Sequence, residues 1–323
     1  MGTARKRHHY LPQFYLRRFA DADNMIWLFD RKDGEYRHVP ISHAGLHKEY
    51  YSFKDEDTGR YNRDIENLLA TIDGVGAPII EKLVAGNTNL TQEEVENLTI
   101  YAAFQMTRVP EYEKGVHESA GKMQKMMTQM NLHSVERVQQ IMNKMRVDEN
   151  KEGYTAKEMF DYIQGGKYDI KFSRVLSLQY MTRFVVEVAP IFSKLDWVFA
   201  YSDTSKTPFI TSDNPFFVMP PKEPNINNRF RGTGILVPGC EKVLSLAPNL
   251  CLIMGDPGTR RMSYQMPRQM VKDLNTRIAA YSDRFVLSKD LLLVKRCVKR
   301  SKVDQWRKEQ RVQLFAPGIG EVI

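Results

Sequence analysis

Between about residue 62 and about residue 190, apolar residues recur at the spacing of one helical face. After Leu195 that rhythm gives way to a series of short β runs, DWVFAYS, PFITSD, PFFVMP, GILVPG and KVLSLAPNLCLIMGD, separated by Pro, Gly and Asn. A helical block followed by a strand block predicts an α+β fold, a helical region and then an antiparallel β-sheet. Antiparallel pairing is expected because the connections are too short for crossover helices.

The helical block carries its own punctuation. Ile65, Leu68, Leu69 and Ile72 open it on one amphipathic face. Thr91 followed by Glu94 reads as a capping box, and the helix it opens stops near Arg108 because Pro110 disfavours helical geometry at Val109. A Met-rich stretch from Tyr112 to Met145 suits one long helix with an adaptable apolar face, read as core or subdomain packing with a partner-binding groove as the alternative. Thr155 and Glu158 cap another helix, ended by Gly165-Gly166, and a further helix is expected from Phe172 to about Phe192.

Before this block lies an N-terminal helix and hairpin. Pro12 opens a helix over Gln13 to Ala20, with Phe14, Leu16 and Phe19 inward, and Asp33-Gly34 turns a β-hairpin. After the strand block, Met266 to Ala280 reads as a helix, Asp283 to Ser288 as a strand and Ser301 to Leu314 as a closing basic helix. The whole is taken as a single α+β domain, 1–323, with about 112–170 as a helical insertion or cap.

Composition narrows the setting. No tract approaches the roughly 20 apolar residues of a membrane span, and the basic N-terminus lacks the apolar run of a secretory signal, so a cytoplasmic protein with no membrane partner is expected. Cys240, Cys251 and Cys297 are odd in number and lack CxxC spacing, which disfavours disulfides and a Cys-rich zinc site. The net charge of +8 favours encounter with polyanions, nucleic acid among them. There is no Walker A loop, GxGxxG, HExxH, GxSxG or calcium loop.

Three polar blocks remain as candidate sites. In the opening HHYLPQFYLRRF, His8 or His9 suits a general base or a metal ligand, and on an extended chain the two point to opposite faces. Its bland alternative is a solvated basic arm. In FITSDNPF a strand ends in Asp213 and Asn214, fit to ligate a divalent metal ion, orient a histidine or hold a substrate oxygen, or simply to stop the strand as an Asx turn. In FQMTRVP, Gln105 and Arg108 share a helical face and suit an anion, unless Arg108 caps its own helix.

These blocks, together with Lys48-Glu49-Tyr50-Tyr51-Ser52, KVLSLAPNLCLIMGD, and Leu274-Asn275 before AAYSDRFVLS, resemble in order the domain-of-unknown-function family numbered 4238. The resemblance spans nearly the whole chain. It implies that the His block and the Asp-Asn-Pro block belong to one core, and it points to His8, His9, Gln13, Arg108, Asp213 and Asn214 as motif positions.

The expectation drawn from these residues is a phosphodiester hydrolase of nuclease type, a defence or toxin effector. It would use His8 or His9 as general base or metal ligand and Asp213 to ligate a metal or orient the histidine, with Gln13, Arg108 and Asn214 for substrate binding and a divalent metal ion as the candidate cofactor, its need and identity open. The alternative is a non-enzymatic binding or regulatory protein in which the same residues form a structural network.

Overall fold

The computed structural model describes residues 7–48, 51, 53–54, 61–145, 154–170, 172–221 and 233–302. They fall into two compact units, residues 1–113 with 174–323, and residues 114–173. The fold is α+β.

In the larger unit the chain starts with β1 (Arg7–His9), then α1 (Gln13–Phe19), and continues into the hairpin of β2 (Met25–Asp30) and β3 (Glu35–Pro40). Pro12 precedes α1, and Gly34 takes the left-handed conformation that the hairpin turn requires (φ 77°). α1 buries Tyr15, Leu16 and Phe19; Phe14, expected inward, is only half-buried and lies beside the Tyr101 ring. β4 (Leu46–Lys48) pairs with β1, and the short strands β5 (Phe53–Lys54) and β6 (Tyr61–Asn62) pair with each other.

Two helices come next, α2 (Asp64–Val84) and α3 (Gln92–Thr107). The capping box at α3 is formed in both directions, Glu94 N–H to Thr91 Oγ1 at 3.1 Å and Thr91 N–H to Glu94 Oε2 at 2.7 Å. Gly76 lets α2 approach α3, since a Cβ there would lie 2.7 Å from the Tyr101 ring.

α4 (Pro110–Asn131) and α5 (Val135–Met145) replace the single long helix expected over the Met-rich stretch. The break falls where Ser134 caps the second helix through the Arg137 amide (3.2 Å). With α6 (Ala156–Gly165) these helices make the smaller unit, whose core is Val138, Met142 and Ala156. The core-packing expectation fails for most of the methionines: Met123, Met126, Met127, Met130 and Met145 are exposed and Met142 alone of the six is buried.

α7 (Arg174–Ser193) returns the chain to the larger unit. Its Val175–Ser193 stretch has the length and apolar content of a membrane span, more than the sequence suggested, with 39% of it buried. Leu178, Met181, Val185, Val188 and Phe192 recur at helical spacing as its buried face, and α7 packs along α3.

The strand block builds two sheets. β7 (Leu195–Tyr201), β9 (Phe216–Met219), β10 (Glu241–Ala247), β11 (Leu250–Pro257) and β12 (Arg261–Gln265) form one, in the order β12-β7-β11-β10-β9. β8 (Thr211–Ser212) and β13 (Phe285–Ser288) join the N-terminal hairpin in the other, in the order β3-β2-β13-β8. The run GILVPG, expected as a strand, is turn. One pairing departs from the antiparallel expectation: β12 runs parallel to β7. After β11 the chain hooks round the first residues of β7 through Gly258-Thr259-Arg260, and Arg260 holds Asp196 by its amide (2.9 Å) and guanidinium (2.5 Å). Gly258 is needed at the hook, where a Cβ would overlap the Asp196 carboxylate.

α8 (Arg268–Ala280) and α9 (Leu291–Ser301) complete the unit and pack on each other. α9 was not anticipated from the sequence, and residues 303–314 of the closing basic helix that was expected fall outside the described residues. One core joins both sheets to α8 and α9 through Ile210, Phe217, Val243, Val271, Ile278, Val286 and Val294. Each such buried side chain contributes about 1.5–3 kcal/mol relative to exposure.

Candidate functional site

Asp213 sits at the end of β8 and is buried. Its Oδ1 accepts the Asp283 amide at 2.8 Å and its Oδ2 the Arg284 amide at 2.6 Å, so both carboxylate oxygens tie β8 to the entry of β13. Asn214 donates from Nδ2 to the Tyr281 carbonyl (3.0 Å). The pair does stop a strand, but by clamping a segment some 70 residues away rather than by a local Asx turn.

The opening block reaches this clamp through two tyrosines that residue type alone did not single out. Tyr10 is buried, and burial together with the charges of Asp213 and Asp283 pushes its hydroxyl well above the usual tyrosine range. Tyr15 donates to the Ser245 carbonyl at 2.7 Å and lies 2.5 Å from Thr211 Oγ1, which joins α1 to β8 and β10. His9 Nε2 is 2.9 Å from Gln13 Nε2. The contact places the Gln13 amide against the imidazole edge of His9. The His8 backbone pairs with His47 in β1 and β4; its side chain lies outside the described ones.

Arg108 is the C-cap of α3, as expected, but its guanidinium turns to Asp73 on α2, Nη1 to Oδ1 at 2.8 Å and Nη2 to Oδ2 at 3.2 Å. Burial opposes its charge, and the Asp73 carboxylate and Tyr51 outweigh that, holding Arg108 above its ordinary range. Tyr51 donates to the Arg108 carbonyl (2.9 Å) and its hydroxyl also acts electrostatically on Tyr10. Asp213, Tyr10, Tyr51, Arg108 and Asp73 thus form one linked network drawn from separate blocks. Gln105 lies fully buried on α3, and neither its amide nitrogen nor its amide oxygen has a partner among the described residues.

Asp30, which no sequence motif marked, extends the network. It is completely buried and accepts from Arg284 Nε (2.8 Å), Arg284 Nη2 (2.6 Å), Arg37 Nη1 (3.1 Å) and the Lys32 amide (3.0 Å). Among the described residues no group of three or more His, Cys, Asp or Glu is placed to hold a metal ion, and Asp213 has both oxygens on amides. The candidate residues whose side chains are described therefore do not gather as a metal-ligand set.

The chemistry of an open site lies elsewhere. A cleft of about 480 Å³ opens between the loop before β8, α8, and α9 with the two residues preceding it. Among the described residues seven cationic side chains line it, Lys206, Arg268, Lys272, Lys289, Arg296, Lys299 and Arg300, against a single acid, Asp290. Asp290 is already used as the N-cap of α9, accepting the Leu292 (2.8 Å) and Leu293 (3.1 Å) amides. Lys206 pairs with Asp203 and Arg300 with Asp273, both at 2.9 Å. Among the described residues the other five have no acidic partner, although Arg268 Nε donates to Thr207 Oγ1 (3.1 Å) and Arg296 Nε to the Leu292 carbonyl (3.2 Å).

The cleft has a fixed floor. Asn275 accepts the Ile210 amide (3.0 Å) and donates to the Pro208 carbonyl (2.8 Å), which holds the loop against α8. Leu293 and Cys297 add an apolar patch. Burial pushes the Cys297 thiol up to about 12, against the lowering effect of Arg296 and Arg300, so it stays protonated near neutrality. The arrangement concentrates positive charge and keeps its thiol protonated.

This cleft was missed from the sequence, although one signal for part of it was there. Leu293, Val294, Cys297 and Ser301 are the buried face of α9, and their spacing leaves Arg296, Lys299 and Arg300 outward. Lys206, Arg268 and Lys272 reach the same cleft through long-range packing that no local pattern announces.

Neither the curated proteins nor the solved structures include a match to this chain. The family model described as "Protein of unknown function (DUF4238)" matches residues 7–291, from β1 to the first residue of α9. The chain belongs to that family.

Proposed function

We propose that the protein binds a phosphate-bearing ligand in the basic cleft, and that its His, Asp and Arg blocks are the frame that holds the cleft's walls in place. The observation that carries this reading is the charge of the cleft, seven cations against one acid that is itself committed to a helix cap. Bringing that many cations together costs self-repulsion, which an anionic ligand relieves.

The hydrolase reading asks a carboxylate and a guanidinium to face a substrate. Asp213 spends both oxygens on backbone amides, and Arg108 is buried on Asp73. The geometry therefore favours the binding reading, with nucleic acid and small phosphorylated molecules as the candidate ligands.

The test is titration of the protein with a fluorescent oligonucleotide and with inorganic polyphosphate at about 50 mM and about 200 mM salt. Binding of either, weakened by salt and by the double change Lys272→Glu and Lys299→Glu, supports the reading. Equal binding by the wild type and the double variant would place the ligand elsewhere.

A further inference from the structure

We infer that the ligand of the basic cleft is a small molecule carrying two or more phosphoryl groups, rather than a nucleic-acid strand. The inference rests on the anion-binding reading above and adds the class of ligand.

Three observations point the same way. The first is size: about 480 Å³ falls within the roughly 300–1,000 Å³ of small-molecule pockets, whereas a strand is tracked by an open groove. The second is the lining. Proteins that hold single strands stack bases on aromatic side chains, and the described residues that line the cleft are Thr, Ser, Pro, Asn, Leu, Cys and charged residues, with no aromatic ring among them. Double-stranded recognition needs a helix or strand presented to a groove, whereas here the cations surround a concavity.

The third is the distribution of charge. Lys206 stands on the loop, Arg268 and Lys272 on α8, Lys289 before α9, and Arg296, Lys299 and Arg300 on α9. Cations from three segments converge on one volume, which suits a compact ligand of high charge density. A single phosphate, at most doubly charged, would leave most of them unneutralised. Thr204, Ser205 and Thr207 add hydroxyls, and Leu293 with Cys297 offers an apolar surface for a carbon skeleton between phosphoryl groups.

The binding is non-covalent. Arg268 and Arg296 supply planar forks for phosphoryl oxygens, and Lys272, Lys289 and Lys299 act as mobile point charges. The same residues predict a ladder of affinity with phosphate number, since each added phosphoryl group engages cations that the previous one leaves free.

The experiment is calorimetric titration of the full chain with orthophosphate, pyrophosphate and tripolyphosphate, alongside a single-stranded oligonucleotide. The variants are Lys299→Gln and Lys272→Gln, exposed or half-exposed positions that leave the core intact, with folding checked by circular dichroism. The expected result is an affinity rising about tenfold or more from orthophosphate to tripolyphosphate, and falling about tenfold in each variant, the scale of one lost charge-assisted hydrogen bond. An oligonucleotide that binds while tripolyphosphate fails to displace it would overturn the small-ligand inference and leave the anion-binding reading standing. No binding of any anion by the folded wild type would overturn both.

Discussion

Asp30 shows how much a single residue can hold here. It has no exposed side-chain surface, and Arg284, Arg37 and the Lys32 amide share its two oxygens. Burial disfavours its charged form, yet the bonds from Arg284 outweigh that and hold the carboxyl below its ordinary range. A group depressed in the folded state contributes stability above its unfolded pKa, about 3.9, and that contribution is lost as pH falls through the lower folded value. Chemical denaturation should find Asp30→Asn less stable than the wild type by about 2 kcal/mol at neutral pH, with the gap closing below about pH 4. A gap unchanged at about pH 2 would assign the loss to packing instead. Gln105 is the opposite case, a buried amide whose two polar atoms lack partners among the described residues. Replacing it by the similarly sized leucine removes that desolvation cost, and Gln105→Leu should unfold at an equal or higher temperature, with a gain of about 1 kcal/mol. A clear drop in midpoint would mean that the amide has a partner of its own, such as bound water.

At the scale of elements, what was legible was what is decided locally. Thr91 with Glu94 and Thr155 with Glu158 are complete capping boxes, and Asp33-Gly34 turns the hairpin, because each signal is satisfied within a few residues. The parallel β12 was not legible, since it depends on the chain hooking round β7. Gly258→Ala should therefore destabilise the fold by about 1–3 kcal/mol, through the clash with Asp196. In an Asp196→Ala background the same change should cost less, and additive effects in that double-mutant cycle would rule out the clash as the cause. The methionines of α4 and α5 were misjudged because helical spacing identifies a face without saying what it meets. Mild peroxide treatment followed by peptide mapping should convert Met123, Met126, Met127, Met130 and Met145 to sulfoxide well before Met142. Equal rates would place Met142 at the surface.

On the scale of the whole molecule, the blocks that first suggested a catalytic site are linked to one another, and the proposed binding function takes them as a frame. Asp213 and Arg108 drew attention by residue type, and type does not reveal that their partners would be the Asp283 and Arg284 amides and Asp73. The basic cleft escaped notice for the converse reason: its cations look like ordinary surface charge until α8, α9 and the loop before β8 set them round one cavity. A chain of net charge +8 concentrates seven of its cations there.

The bond from Tyr15 to the Ser245 carbonyl spans 230 positions, and the contact with Thr211 spans 196. During synthesis, α1 emerges long before either partner exists. At about 5–20 residues per second, roughly 10–50 s separate the first helix from the strand that receives it. α1 therefore waits for strands made much later, so this unit completes its fold only after β10 has been synthesised, and truncation before β10 leaves Tyr15 without its Ser245 acceptor.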